Sequence, residues 1–254
     1  MSKIIQINAI KAIITREIIV FVREKERIVS SIISPLLFLF VIGRSLNQKI
    51  AIEGYTYQQF IFPGIIAMNI LFTSIRYGLY LIWDKRVDFL KEVLVAPISR
   101  TSLFIGKATG GVIGAILEMI ILISIGNFFV LKLSIIQIIL TIIVSFVSSF
   151  MIVSIGLSIG AVMKTMEGFG LVMSFITWPM FFFSNALFEV KSTSYIIMLI
   201  SRINPFTYSV DILRKIMLDY STFKLSYSIL ILIFSTLVLS YITTKLFERI
   251  DIQK

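Results

Sequence analysis

Arg76 and Glu118 are the ionisable residues set deepest within apolar runs of this 254-residue chain. A charge at the centre of a membrane helix costs about 2.5–3.5 kcal/mol on insertion scales, so both must face protein or water. Two uses stand open for them: a place in a substrate path or gate, or snorkelling and structural pairing. Arg76 lies nearer the inner surface than Glu118, so a direct pair needs a long reach. Other chemistry is narrow. The chain has no Cys and no His, which excludes disulfides, zinc or haem ligation through those residues, and Ser-His or Cys-His nucleophile pairs. Its carboxylates are scattered, so no acid–base constellation for a membrane-embedded enzyme emerges. A Walker phosphate loop needs glycines, a Lys and then Ser or Thr. Here Gly106-Lys107 is followed by Ala108, and Thr101 stands where the first glycine belongs. Catalytic, metal and cofactor sites are therefore not expected in this chain, and any ATP chemistry belongs to another polypeptide.

The elements that position these residues must be membrane helices. Apolar residues make up 57% of the chain and charged residues 15%, with a mean hydropathy of +0.98, outside the range of soluble domains. About 20 helical residues cross a hydrocarbon core. Apolar runs of that length predict six spans, at 28–46, 60–82, 103–131, 134–162, 171–188 and 226–246. The fold class is an all-α membrane protein, read as one domain over 1–254. The net charge of +10 is dispersed among the spans, with no basic stripe or aromatic platform, which argues against nucleic acid. The first 27 residues are broken by charge and lack a signal-peptide core, so they are expected to be retained. With the N-terminus inside, fifteen Lys and Arg fall in inner segments and eight in outer ones, which predicts cytoplasmic termini.

Three segments do not span. Over 1–27, Ile4, Ile7, Ile10, Ile14, Ile18, Phe21 and Val22 follow helical spacing, while Arg16, Glu17, Arg23 and Glu24 fall elsewhere around the helix. This reads as an amphipathic helix along the inner membrane surface, in contact with lipid. Over 83–98, Trp83, Val87, Leu90 and Leu94 share one face of a charged helix that Pro97 ends. A solvated loop is the plain alternative, but large apolar groups suit an interface anchor. Ser99 or Thr101 is placed to cap the next span. Over 191–225, two short apolar runs are split by Asn204-Pro205. They predict a helical hairpin dipping into the outer leaflet, with Phe206, Val210, Leu213 and Met217 on its apolar face. Gly106, Gly110 and Gly114, and separately Gly156 and Gly160, have small-xxx-small spacing, read as helix packing within the monomer.

Trp83-Asp84, then Phe89 to Arg100 (FLKEVLVAPISR) and Gly106-Lys107, resemble the motif after the second span of type-2 ABC transporter permeases, especially the daunorubicin-resistance-like exporters. Asn204-Pro205-Phe206-Thr207-Tyr208-Ser209-Val210-Asp211-Ile212-Leu213-Arg214 is similar to the motif before that family's last span. The resemblance implies a permease subunit of an ATP-driven exporter for a hydrophobic or amphipathic cargo such as a drug or lipid. It pairs with a second permease and two ATP-binding subunits, which carry the ATP and magnesium. It implies coupling to the ATPase through Trp83, Asp84, Phe89, Leu90, Glu92, Leu94 and Pro97. Asn204, Pro205, Tyr208, Asp211 and Arg214 mark the external hairpin. Asn185 and Glu189 depart from the family, standing where glycine and proline are expected. A stand-alone ion-coupled carrier or channel is the alternative.

Overall fold

The computed structural model describes residues 5–47, 51–52, 54–188 and 194–249. Twelve α-helical segments follow in order among them: α1 (Ile7–Arg23), α2 (Lys25–Leu37), α3 (Gly43–Asn47), α4 (Tyr57–Ile75), α5 (Tyr77–Arg86), α6 (Phe89–Val95), α7 (Arg100–Phe129), α8 (Ile135–Val162), α9 (Met166–Phe182), α10 (Tyr195–Ile203), α11 (Pro205–Leu218) and α12 (Leu225–Glu248). A π-helical turn, Phe38–Ile42, joins α2 to α3 just after Pro35, whose missing amide already weakens the ladder. Two two-residue strands, β1 (Ala51–Ile52) and β2 (Tyr55–Thr56), form a small hairpin.

Five units are long and apolar enough to cross a membrane: Lys25–Leu46, Tyr57–Arg86, Arg100–Phe129, Ile135–Val162 and Leu225–Glu248. The bent pair α10–α11, broken by 92°, brings the number to six if it counts as one span. Local chemistry sets most ends. Thr56 and Ser134 each make a capping box, with Gln59 and Gln137. Ser99, rather than Thr101, caps α7 by accepting from the Ser102 amide.

α4 is the hub: residues from Phe60 to Leu71 are buried on all sides, packed by α7, α8, α11 and α2. The outer faces of α8, α9 and α12 carry Ile139, Ile143, Phe175, Phe234 and Leu237 exposed, the apolar surface that lipid requires.

Four expectations need correction. The helix expected at 83–98 is two pieces. Trp83 to Arg86 end α5, Asp88 turns left-handed at φ 58, and α6 starts afresh at Phe89. Asp tolerates that conformation through its short polar side chain. The fifth apolar helix is Met166–Phe182, not 171–188, and at 17 residues it is shorter than the five spans. Thr165 caps it from the Gly168 amide at 3.1 Å, and the chain leaves it through Phe183 and Ser184 into Asn185. Asn185 takes φ 67, the left-handed region that glycine enters most easily and Asn next; its amide donates to Thr222 Oγ1 at 2.7 Å. That accounts for Asn at an expected glycine, while Glu189 lies outside the described residues.

The side by which α1 packs on the bundle also differs from the sequence reading, which set Glu17 on the polar side. Ile13, Glu17 and Phe21 are buried, whereas Ile7 and Val22 are exposed. Finally, α11 buries Phe206, Val210, Leu213 and Met217 as expected, but also Tyr208, Ser209, Asp211 and Arg214, so it is enclosed rather than one-sided.

Candidate functional site

One end of the bundle is built around Lys107. A Cβ on Gly106 or Gly110 would stand 2.8 Å from Ile13 Cβ or 2.5 Å from Glu17 Cβ, so only glycines let α1 lie this close to α7. That approach buries Glu17 against α7, where Lys107 Nζ donates to its Oε1 at 2.9 Å. Lys107 also donates to Asp84 Oδ2. Arg16 completes the cluster, donating to Asp84 Oδ1 at 2.6 Å and to Glu17 Oε1 at 2.8 Å. Glu17, Asp84 and Lys107 are each at most 3% exposed. Two acids and two bases therefore neutralise one another where solvent does not. Burial alone would push the Glu17 carboxyl up; the charges and hydrogen bonds of Lys107 and Arg16 outweigh it and hold the group below its ordinary value.

The cluster reaches the segment around α6. Arg16 stacks over the Phe89 ring at 4.3 Å. Gln6, just ahead of α1, donates its side-chain amide to the Pro97 carbonyl at 2.9 Å and its backbone N–H to Ser102 Oγ at 2.8 Å. Leu90 is buried among Ile13, Leu81, Leu103 and Phe104. Arg27, at the start of α2, lies over Phe21 and Tyr80 and bridges Glu24 at 3.1 Å. Lys85 caps the end of α8, donating to the Gly160 and Ala161 carbonyls at 2.8 and 2.7 Å.

The seven residues expected to meet an ATPase thus divide. Trp83, Glu92 and Pro97 are exposed, together with Val87 and Val95. Asp84 and Leu90 are buried, Phe89 lies partly covered by Arg16, and the Leu94 side chain lies outside what is described. Sequence reasoning missed Arg16, Glu17 and Lys107 as members; the Gly106-xxx-Gly110 spacing was their signal, since it marks where a second helix comes close.

Arg76 and Glu118 do not meet. Glu118 is fully buried on α7, accepting from Thr73 Oγ1 at 2.5 Å and Asn69 Nδ2 at 3.4 Å. Arg76 sits at the α4–α5 junction and faces α9. At the opposite end of the bundle, Asn204 caps α11 from the Phe206 amide at 3.1 Å and ties it to Met180 O at 2.7 Å, with Pro205 as the first helical residue. Tyr208 donates to Arg202 O at 2.7 Å. Asp211 accepts from the Thr222 amide at 2.6 Å and Ser228 Oγ at 2.8 Å, holding the α11–α12 turn. Arg214, 4.1 Å over the Phe60 ring, donates to Asn185 O at 2.6 Å. These five residues fix the bent pair.

Residues 8–218 match the family described as ABC-2 type transporter. The chain belongs to that family. It is 26% identical over 256 aligned residues to ycf38 of Cyanophora paradoxa, named as a transport permease, covering 91% of this chain and 87% of that protein. It is 25% identical over 210 residues to the inner membrane transport permease YadH of Escherichia coli K12, covering 80% of each. Over 108 residues it is 35% identical to ycf38 of Pyropia yezoensis, 41% of this chain and 37% of that one. The permease match takes in α1, α6, the Lys107 cluster and the bent pair up to Leu218. This ABC-2 permease is a transport protein rather than an enzyme, multi-pass by its apolar helices.

Proposed function

We propose that this ABC-2 permease is the membrane-spanning subunit of an ATP-driven exporter for a hydrophobic or amphipathic cargo, a drug or lipid. It acts with a second permease copy and two ATP-binding subunits that supply the nucleotide and magnesium sites. The observation that carries the reading is an exposed patch at the α6 end, with Trp83, Val87 and Val95 beside Glu92, braced from behind by the buried Lys107 cluster. Exposed large apolar groups at a charged helix suit a partner better than water does. A push on α6 passes through Phe89 to Arg16 on α1, and through Asp84 to Lys107 on α7. Asp84 lies on α5, at the end of the same long unit as the hub helix α4. Closure of the ATP-binding subunits is thereby transmitted to the spans as rigid-body tilt. The excess of Lys and Arg in the segments at this end supports placing it, and both termini, in the cytoplasm of a plasma membrane protein.

The test is co-expression with whichever ATP-binding gene lies nearest to this one, and purification through one tag on the permease. Wild type should bring the ATPase down, and Glu92→Arg with Val95→Asp, both on the exposed side of α6, should lose it while keeping the permease's elution profile. If no ATPase ever copurifies, and the chain alone moves solute down an ion gradient, the carrier reading replaces this one.

A further inference from the structure

A cavity of about 170 Å³ opens between α4 and α9, lined by Phe72, Arg76, Phe169, Met173, Thr177 and Trp178 among others. Its lining is aromatic and aliphatic apart from Arg76 and two hydroxyls, with no carboxylate. Arg76 makes no side-chain hydrogen bond or ion pair among the described residues, unlike Arg16, Arg27 and Arg214. Thr177 is 3% exposed, and its hydroxyl has no partner among the described residues either. The other hydroxyl, that of Ser174, is taken by Gly170 O at 2.9 Å. Phe72 and Trp178 stack edge to face at 5.1 Å and form a stiff aromatic corner.

Arg76 stands ten residues before the end of the 30-residue unit Tyr57–Arg86, about 15 Å along the helix axis at 1.5 Å per residue. With no acceptor among the described residues, its guanidinium has five donors to offer, so a counter-anion is the favourable occupant. We propose that this cavity is the headgroup site for the exporter's cargo, and that the cargo is an anionic amphiphile: one acidic group on an apolar body. Arg76 takes the acid as a two-pronged hydrogen-bonded pair and the Thr177 hydroxyl donates a third bond. The cavity is smaller than the roughly 300–1,000 Å³ of pockets that enclose drug-sized ligands, so the apolar body runs outward. Trp178 both lines the cavity and is 41% exposed, on the same helix as the exposed Leu171, Phe175 and Phe182. The proposal rests on the exporter reading for its transport half; the binding half stands on the cavity alone.

The chain holds two tryptophans, so Trp83→Phe leaves Trp178 as the one fluorescent reporter, on the wall of the cavity. The full-length variant in phosphatidylcholine nanodiscs is titrated with dibromostearate and with its uncharged methyl ester, whose bromines quench on contact. The acid should reach half-quenching at about a tenfold lower mole fraction than the ester, the size of effect expected for a hydrogen-bonded charge pair. Arg76→Gln should bring the acid to the ester's value, Arg76→Lys should keep part of the difference, and Thr177→Val should lose a few-fold. Equal quenching by acid and ester overturns the site, as does an unchanged ratio in Arg76→Gln. A shift of the Arg76→Gln protein from dimer to monomer with no change in that ratio assigns the arginine to a second copy and overturns it too. In proteoliposomes of the complex with its ATPase, dibromostearate but not the ester should raise ATP hydrolysis, with Arg76→Gln still copurifying the ATPase. Acid-selective quenching without that stimulation makes the occupant a resident lipid and overturns the cargo assignment. Failure of the ATPase to copurify removes the exporter reading while leaving the quenching result to stand or fall alone.

Discussion

The guanidinium of Arg16 lies 4.3 Å over the ring of Phe89. The same group binds Asp84 at 2.6 Å, so one side chain of α1 holds both the last turn of α5 and the first turn of α6. Arg can do this because its flat fork stacks on an aromatic face and donates in its own plane. Arg16→Ala should release α6, with faster amide exchange over 89–95 and little change in α7. Arg16→Lys should not restore protection, since an ammonium cannot stack and bind at once. The Arg16 side chain is 31% exposed, so the stability lost should be modest, about 1 kcal/mol. Unchanged exchange in the alanine variant means that Leu90 and Gln6 alone hold the segment.

Lys107 is a different case, because both of its acids are buried with it. Lys107→Met leaves Glu17 and Asp84 with Arg16 as their one remaining cation, an excess of one buried negative charge, and truncating one member of a buried pair costs on the order of 3–5 kcal/mol. The melting temperature of the detergent-solubilised protein should drop well below that of Arg16→Ala. Adding Glu17→Gln to Lys107→Met should recover most of the loss, since Arg16 then balances Asp84 and it is the uncompensated charge that destabilises. A double variant no better than the single would point to lost packing instead.

The Glu17 carboxyl is held below its ordinary 4.5 by Lys107 and Arg16, against the opposing effect of burial. A depressed folded value means that the contribution is full above the unfolded value and fades as pH falls through the folded one. The docking of α1 should therefore be constant from neutral pH down to about 5 and weaken below about 4.5. Thermal melts at a series of pH values check this. In Glu17→Gln the acid-side loss should be smaller, starting from a lower plateau.

Glycine spacing gives a contrast within one molecule. A Cβ on Gly160 would stand 2.3 Å from the Gly78 carbonyl oxygen, a backbone atom that cannot swing aside, whereas Gly170 has nothing within 4 Å. Gly160→Ala should part α8 from α5 and cost about 1–3 kcal/mol. Gly170→Ala should be neutral or slightly stabilising, since Ala is the better helix former. Equal melting temperatures for the two variants would falsify the close α5–α8 approach.

Much of the layout was legible because the cues are local. Apolar runs near span length gave five of the crossing units, and Ser99, Ser134 and Asn204 act at helix ends through their own neighbouring amides. The fifth helix misled: the apolar run continues to Phe188, but the helix stops at Phe182, where Asn185 turns the chain left-handed. The buried side of α1 misled more. Glu17 reads as a surface charge until the glycines of α7 admit it to Lys107.

The sequence by itself determined that this chain is a multi-pass membrane protein and where five of its crossing units lie, because hydrophobic length, proline and capping chemistry are properties of neighbouring residues. Only the tertiary structure decided that Asp84 is buried rather than presented, that Lys107 joins α1, α5 and α7, and that Arg76 faces a cavity instead of Glu118. Charges choose partners by distance in space and by exclusion of water, and neither is written in the order of residues along the chain.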